Sequence, residues 1–136
     1  MGGTDLATEF IQHVNDADDG RMLDLFDDDA EFFFCGAAPR TQYRKGRELL
    51  AFFAWLRREL PKLTVAVDRM TETVRGAVVE WEASGTSARG DGFEALGTMV
   101  LETEHGRISN LRVYPDTAAL NRALGLVADG RLRRSA

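Results

Sequence analysis

Four runs in the second half of the chain constrain the fold most. "LTVAVDRMTETV" (Leu63–Val74), "AVVEWEASGTSA" (Ala77–Ala88), "GFEALGTMVLETE" (Gly92–Glu104) and "RISNLRVYP" (Arg107–Pro115) are rich in β-branched and aromatic residues that alternate with polar ones. Between them stand "RG", "RGDG" and "HG", which are turn sequences. Four such runs joined by short turns predict an antiparallel meander. The first half reads differently. Leu6, Phe10 and Val14 recur every four residues, predicting a helix over 4–17 with Thr4 as its N-cap. "RMLDLF" predicts a short second helix, and "AEFFFC" (Ala30–Cys35) a strand. The three aspartates before it read as a helix end and turn, and "GAAPRTQYRKG" as a loop. "RELLAFFAWLRREL" is an amphipathic helix with Leu49, Phe53, Leu56 and Leu60 on one face, stopped by Pro61. "TAALNRALG" is a last helix that begins behind Asp116 or Thr117 and ends at Gly125.

The predicted class is therefore α+β: a curved, mostly antiparallel sheet wrapped around three N-terminal helices, a cone whose open end makes a pocket. At 136 residues the chain reads as one domain over 1–136, with a core at about 4–125 and a C-terminal tail at 126–136. Its 44% apolar content suffices for a core without cross-links, and Cys35, the single cysteine, leaves nothing for an intrachain disulfide or a cysteine zinc site. A net charge of −5 argues against nucleic acid as a partner. "LLAFFAWL", the longest apolar run, is too short to span a bilayer, and "MGGTDLATEF" lacks the regions of a signal peptide. The expectation is a cytoplasmic protein without a membrane role.

"LFDDDAEF" (Leu25–Phe32), "KGRELLAFF" (Lys45–Phe53) and "HGRISNLRVYPD" (His105–Asp116) resemble the nuclear transport factor 2-like superfamily, and within it the SnoaL-like polyketide cyclases together with ketosteroid isomerase and limonene epoxide hydrolase. The resemblance covers about residues 4–125 and implies the cystatin-like cone. It does not imply one activity, because the superfamily holds isomerases, cyclases, dehydratases, hydrolases and non-enzymes. Carried over residue by residue, the isomerase's tyrosine donor falls on Phe10, its general-base aspartate on Phe34 and its protonated aspartate on or near Thr98. The hydrolase's tyrosine and asparagine fall on Phe32 and Phe34, and its last relay aspartate on Val113. Its arginine and neighbouring aspartate fall on Glu82 and Ser84, or on Trp81 and Ala83 in the other register. Phenylalanines move no protons, so neither constellation is present.

The residues themselves offer other candidates. In "VVEWEASGT" two phases compete. Either Val79, Trp81 and Ala83 face the helices, or Val78, Glu80, Glu82 and Ser84 do; a one-residue slip exchanges the sets. In the second phase Glu82 or Glu80, buried among phenylalanines, would be a general acid or base. His13, one turn beyond Phe10, is a possible helper. The expected pocket lining is Phe10, Val14, Phe32, Phe34, Phe52, Trp55, Trp81, Thr98, Leu111 and Val113. Tyr43 and Arg44 are read as loop residues beside the mouth, His105 as exposed, and Arg112 and Tyr114 as outward-facing. The two histidines show no ligand spacing, so no metal is expected. A small hydrophobic molecule is the expected partner, a polyketide-, terpenoid- or steroid-like one, together with a homodimer through the outer sheet face. The expected chemistry is acid–base chemistry without a cofactor, or binding alone.

Overall fold

A computed structural model of the protein describes residues 2–36 and 41–125, and the backbone of two short strands beyond them. The chain runs α1 (Gly3–Asn15), α2 (Asp19–Asp24), β1 (Phe26–Phe34), β2 (Gln42–Arg44), α3 (Arg47–Glu59), β3 (Thr64–Glu72), β4 (Gly76–Thr86), β5 (Gly92–Glu104), β6 (Arg107–Pro115), α4 (Thr117–Ala123), β7 (Val127–Ala128) and β8 (Arg131–Leu132). Six strands form one mixed sheet in the order β2-β1-β6-β5-β4-β3, left open at β2 and β3. The strands β3 to β6 form the predicted meander, and β1 joins its far side parallel to β6. The small β7–β8 sheet lies within the stretch read as a tail, whose side chains lie outside the described residues.

Burial follows the pleat. Ala77, Val79, Trp81 and Ala83 of β4, Ala95, Met99 and Leu101 of β5, and Phe26, Ala30, Phe32 and Phe34 of β1 are buried. All of these but Ala95 meet Leu6, Phe10 and Val14 of α1 and Leu49, Phe52, Phe53 and Leu56 of α3 in one continuous core. Each fully buried Phe or Leu contributes roughly 1.5–3 kcal/mol, and this core is what holds the helices in the sheet's concavity. A half-buried ion pair adds a polar tie. Arg57 of α3 donates through Nε to Asp19 Oδ1 at 3.0 Å and through Nη1 to the Val14 carbonyl at 3.2 Å, which joins α3 to α2 and to the end of α1.

Three local readings need correction. Thr4 does not cap α1: the helix begins at Gly3 with Gly2 as its N-cap, and no side chain caps it. The reason is packing, since a Cβ on residue 3 would lie 2.3 Å from the Gly76 backbone and only glycine lets the helix start approach that turn. The aspartates Asp27, Asp28 and Asp29 are not a turn but part of β1. The strand bulges there, its register against β6 shifting between Phe26 and Glu31, and Lys45 Nζ braces it by donating to the Phe26 carbonyl at 2.8 Å and to Asp28 at 3.1 Å. The loop after β1 contains β2, which puts Tyr43 opposite Phe32 and buries it. Tyr43 is thus a core residue, whereas its neighbour Arg44 is exposed.

Candidate functional site: an apolar cavity

Inside the cone is a cavity of about 80 Å³. Its walls come from Phe10 and Val14 on α1; Phe32 and Phe34 on β1; Phe52, Phe53 and Leu56 on α3; Trp81 and Ala83 on β4; Ala95 and Met99 on β5; and Val113 on β6. Leu60, Leu63, Val65, Phe93, Pro115 and Leu120 complete it. Those six come from the end of α3, the starts of β3 and β5, the end of β6 and the middle of α4, so α4 lies across this end of the cone. Every lining residue is apolar. The phenylalanines pack as a cluster: the Phe52 ring centroid lies 5.0 Å from those of Phe32 and Phe34 and 5.1 Å from that of Phe53, all in tilted or edge-on geometries.

Seven of the ten expected lining residues stand at the wall. The other three do not. Trp55 is half-buried beside Phe52 at 5.9 Å, because the cavity face of α3 runs through Phe52, Phe53 and Leu56 and leaves Trp55 on its flank. Thr98 pairs with Glu80 on one side and Tyr114 on the other and shares their outward phase; Met99 is the residue that turns inward. Leu111 is wholly buried in the closed core and does not reach the cavity.

The acid–base candidates are corrected more sharply. Glu80 and Glu82 are exposed on the outer face of β4, alternating with the buried Val79, Trp81 and Ala83. Glu80 lies 3.7 Å from Arg69. Glu82 sits beside Asp68, the extra residue of a bulge where the β3–β4 register shifts between Val67 and Arg69. Repulsion from Asp68 and a side-chain hydrogen bond to it raise the Glu82 carboxyl above the ordinary range, with smaller help from desolvation and from Glu94. So Glu82 does have a perturbed carboxyl, but a carboxylate neighbour in solvent causes it, not burial in the cavity. His13 is half-buried on α1 and is not among the lining residues.

The burial alternation of β4 settles the phase, and opposite Trp81 on β5 stands Gly97. A Cβ on residue 97 would fall 2.1 Å from Trp81 Cζ2, 2.5 Å from Cη2 and 2.6 Å from Cε2. The indole therefore lies across the strand where any side chain would stand. A strand-interior glycine is the mark of such a close approach.

Two other places collect polar groups. On the outer face a concavity of about 310 Å³ runs between β2, β1 and β6, bordered by Glu31, Arg44, Asn110, Arg112 and Tyr114. There Arg112 is bonded to Asn110 and lies 3.6 Å from Glu102, and Phe33 packs on Tyr114 at 5.6 Å, so Arg112 and Tyr114 face outward as expected. At the other end Asp27, Glu104 and His105 bring one donor atom each within 4.8 Å of one another. Sequence spacing missed this group, which joins the start of β1 to a turn far along the chain. Glu104 and His105 are exposed.

An α+β cone around an apolar cavity is the architecture that the SnoaL-like resemblance implies. The model of the SnoaL-like domain matches residues 7–111, and the chain belongs to that family. A comparison with curated proteins finds no match. Among solved structures, TerC co-crystallized with polyporic acid has a TM-score of 0.82 at 16% identity, covering 90% of this chain and 98% of that one. IdmH from Streptomyces antibioticus, described as a polyketide cyclase, has a TM-score of 0.80 at 19% identity, covering 92% and 99%. A Bacillus subtilis protein described as an isomerase has a TM-score of 0.80 at 17% identity, covering 97% and 96%. These likenesses establish the fold. Among the described residues no helix is long and apolar enough to cross a membrane.

Proposed function

We propose that the cavity binds a small cyclic hydrophobic molecule, a polyketide-, terpenoid- or steroid-derived metabolite, and holds it in one conformation. The observation that carries this is the wholly apolar wall, which stabilises a ligand by area and shape. The reactions that suit such a site are cofactor-independent ring closures, isomerisations, dehydrations or ring openings, in which orientation by the wall supplies much of the rate. With Glu80 and Glu82 outside, proton transfer would fall to the ligand's own polar groups and to His13, the remaining candidate on a helix that borders the cavity. The likeness to proteins described as a polyketide cyclase and an isomerase supports this reading. A homodimer through the outer face belongs to the same proposal, with the exposed Leu96 and Tyr114 as contacts. Trp81 points inward and supplies nothing to that face.

Native mass spectrometry of gently purified protein tests the proposal. A retained metabolite, or a product released from an offered polyketide, is the expected result.

One observation favours a second reading. At about 80 Å³ the cavity is roughly half the engineered 150 Å³ cavity that admits benzene. In that reading the cavity stays closed and the chain acts through its outer face. Protein that carries no metabolite and takes up no indane, but sediments as a dimer, would establish it. A monomer at micromolar concentration would remove it.

A further inference from the structure

Of the residues that line the cavity, Leu63, Val65, Phe93 and Pro115 are half-buried and the others are buried. The wall therefore thins along one rim, made by the starts of β3 and β5 and the end of β6. The sheet leaves this rim open for a local reason. β5 outruns β6: their last pair is Gly97↔Pro115, whereas β5 stays paired with β4 as far as Gly92↔Thr86. Pro115 has no N–H with which to carry the ladder further. The stretch Gly92–Leu96 thus keeps one edge that no strand of the six covers, and α4 packs beside it. Two polar ties hold α4 there. Asp116 N donates to the Leu96 carbonyl at 2.7 Å, and Arg89 Nη2 donates to the Arg122 carbonyl at 3.1 Å.

The same helix and strand border a second space, an outer concavity of about 410 Å³ between Phe93 and Glu94 of β5 and Ala119, Arg122 and Ala123 of α4. Among the described residues, Phe93 alone lines both spaces, and α4 gives Leu120 to the cavity while its neighbours border the concavity. One half-buried ring and one short helix are what divide them.

We infer that the cavity is entered here, between α4 and the uncovered edge of β5, with Phe93 as the gate and the outer concavity as the vestibule. The inference rests on the cavity being a ligand site and deepens that reading by assigning the passage. Rotation of one side chain at the rim joins the two spaces, whereas a passage between Phe32, Phe52 and Phe53 would have to open the core. Closure by a side chain and a short helix is also how a small site keeps water from an apolar chamber between occupants.

Trp81 belongs to the cavity wall and reports access to it. The chain has two tryptophans, so Trp55→Phe leaves Trp81 as the only indole that emits. Acrylamide, a small neutral quencher, is titrated against that chain. Trp81 is 6% exposed, so its quenching waits on local openings. In this background Phe93→Ala should raise the quenching rate severalfold. Phe93→Leu, which keeps an apolar contact at the rim and guards against loss of the fold, should raise it less. Phe33→Ala makes the same deletion at a residue that borders neither space and should leave the rate as it was. No rise with either Phe93 variant, or an equal rise with Phe33→Ala, overturns the gate. Xenon, a smaller apolar probe than benzene, tests the cavity itself in the wild-type chain. Its uptake, seen as shifts of the Val14 and Val113 methyl signals, is expected. Xenon uptake with quenching unmoved by the Phe93 variants overturns the gate and leaves the cavity as a ligand site. No xenon uptake overturns the ligand site and the gate with it.

Discussion

Replacing Gly97 by alanine tests the packing on which the cavity wall depends. The new methyl would lie 2.1 Å from Trp81 Cζ2, well over an ångström inside ordinary van der Waals contact. The opposing atoms belong to a rigid ring seated among buried residues, not to the end of a flexible chain, so relief requires the whole indole to move. Overpacking of this kind costs roughly 1–3 kcal/mol. For a chain of this length each kcal/mol lowers Tm by roughly 3–4 °C, so Gly97→Ala should melt about 4–10 °C below the wild type by calorimetry. A double-mutant cycle assigns the cost. Trp81→Ala alone should cost about 3–5 kcal/mol by opening a void. In that background the alanine at 97 has nothing to strike and should stabilise by a few tenths of a kcal/mol, because alanine loses less backbone entropy in a strand than glycine. The two changes should thus couple by about 1–3 kcal/mol. A neutral Gly97→Ala, or the same cost in both backgrounds, would refute the reasoning and with it the placement of the indole.

Two further outcomes follow from the polar contacts. Glu82, raised by Asp68, binds its proton more readily folded than unfolded, so its contribution to stability is present below the ordinary carboxylate range and is lost as pH rises through the raised value. Glu82→Gln should therefore melt above the wild type at pH 7, with the gap closing in acid; a lower Tm at pH 7 would refute the repulsion from Asp68. Arg57→Met should cost about 2 kcal/mol, since it removes charge-assisted bonds to Asp19 and the Val14 carbonyl from a site where both side chains are only 26% exposed. Urea unfolding with an unchanged m-value checks it, and a midpoint equal to that of the wild type would mean that the tie contributes nothing.

The meander was legible because alternation and turn chemistry agree at every junction between Thr64 and Pro115, and the residues of α3 repeat at helical spacing across three turns. What escaped was set by tertiary pairing. A three-residue strand such as Gln42–Arg44 has too few residues to show a period, and Tyr43 is buried only because β1 lies beside it. The aspartates of β1 were misread because a bulge lets a strand carry an acidic run that a regular ladder would place on both faces. The phase of Glu80 and Glu82 turns on a single residue of register, which alternation within one strand leaves open and packing against the helices decides. Thr98 is placed at the cavity by family position, which follows chain order, and Leu111 by alternation, which gives its face but not its depth; the pleat and the depth of the cavity decide what reaches it.

The parallel pairing of β1 with β6 has a consequence for how the chain is made. Phe32 and Phe34 emerge early in synthesis, yet their ladder partners, Leu111 and Val113, come some eighty residues later. Until they arrive, one edge of an aromatic strand has no partner, and a strand edge of that kind pairs readily with neighbouring chains. Contacts so distant along the chain also slow folding, because the intervening loop must close before the pairing repays it. The nascent chain therefore passes through an obligatory interval of exposure, and chains interrupted short of Val113 should aggregate even though they carry both long helices and most of the meander.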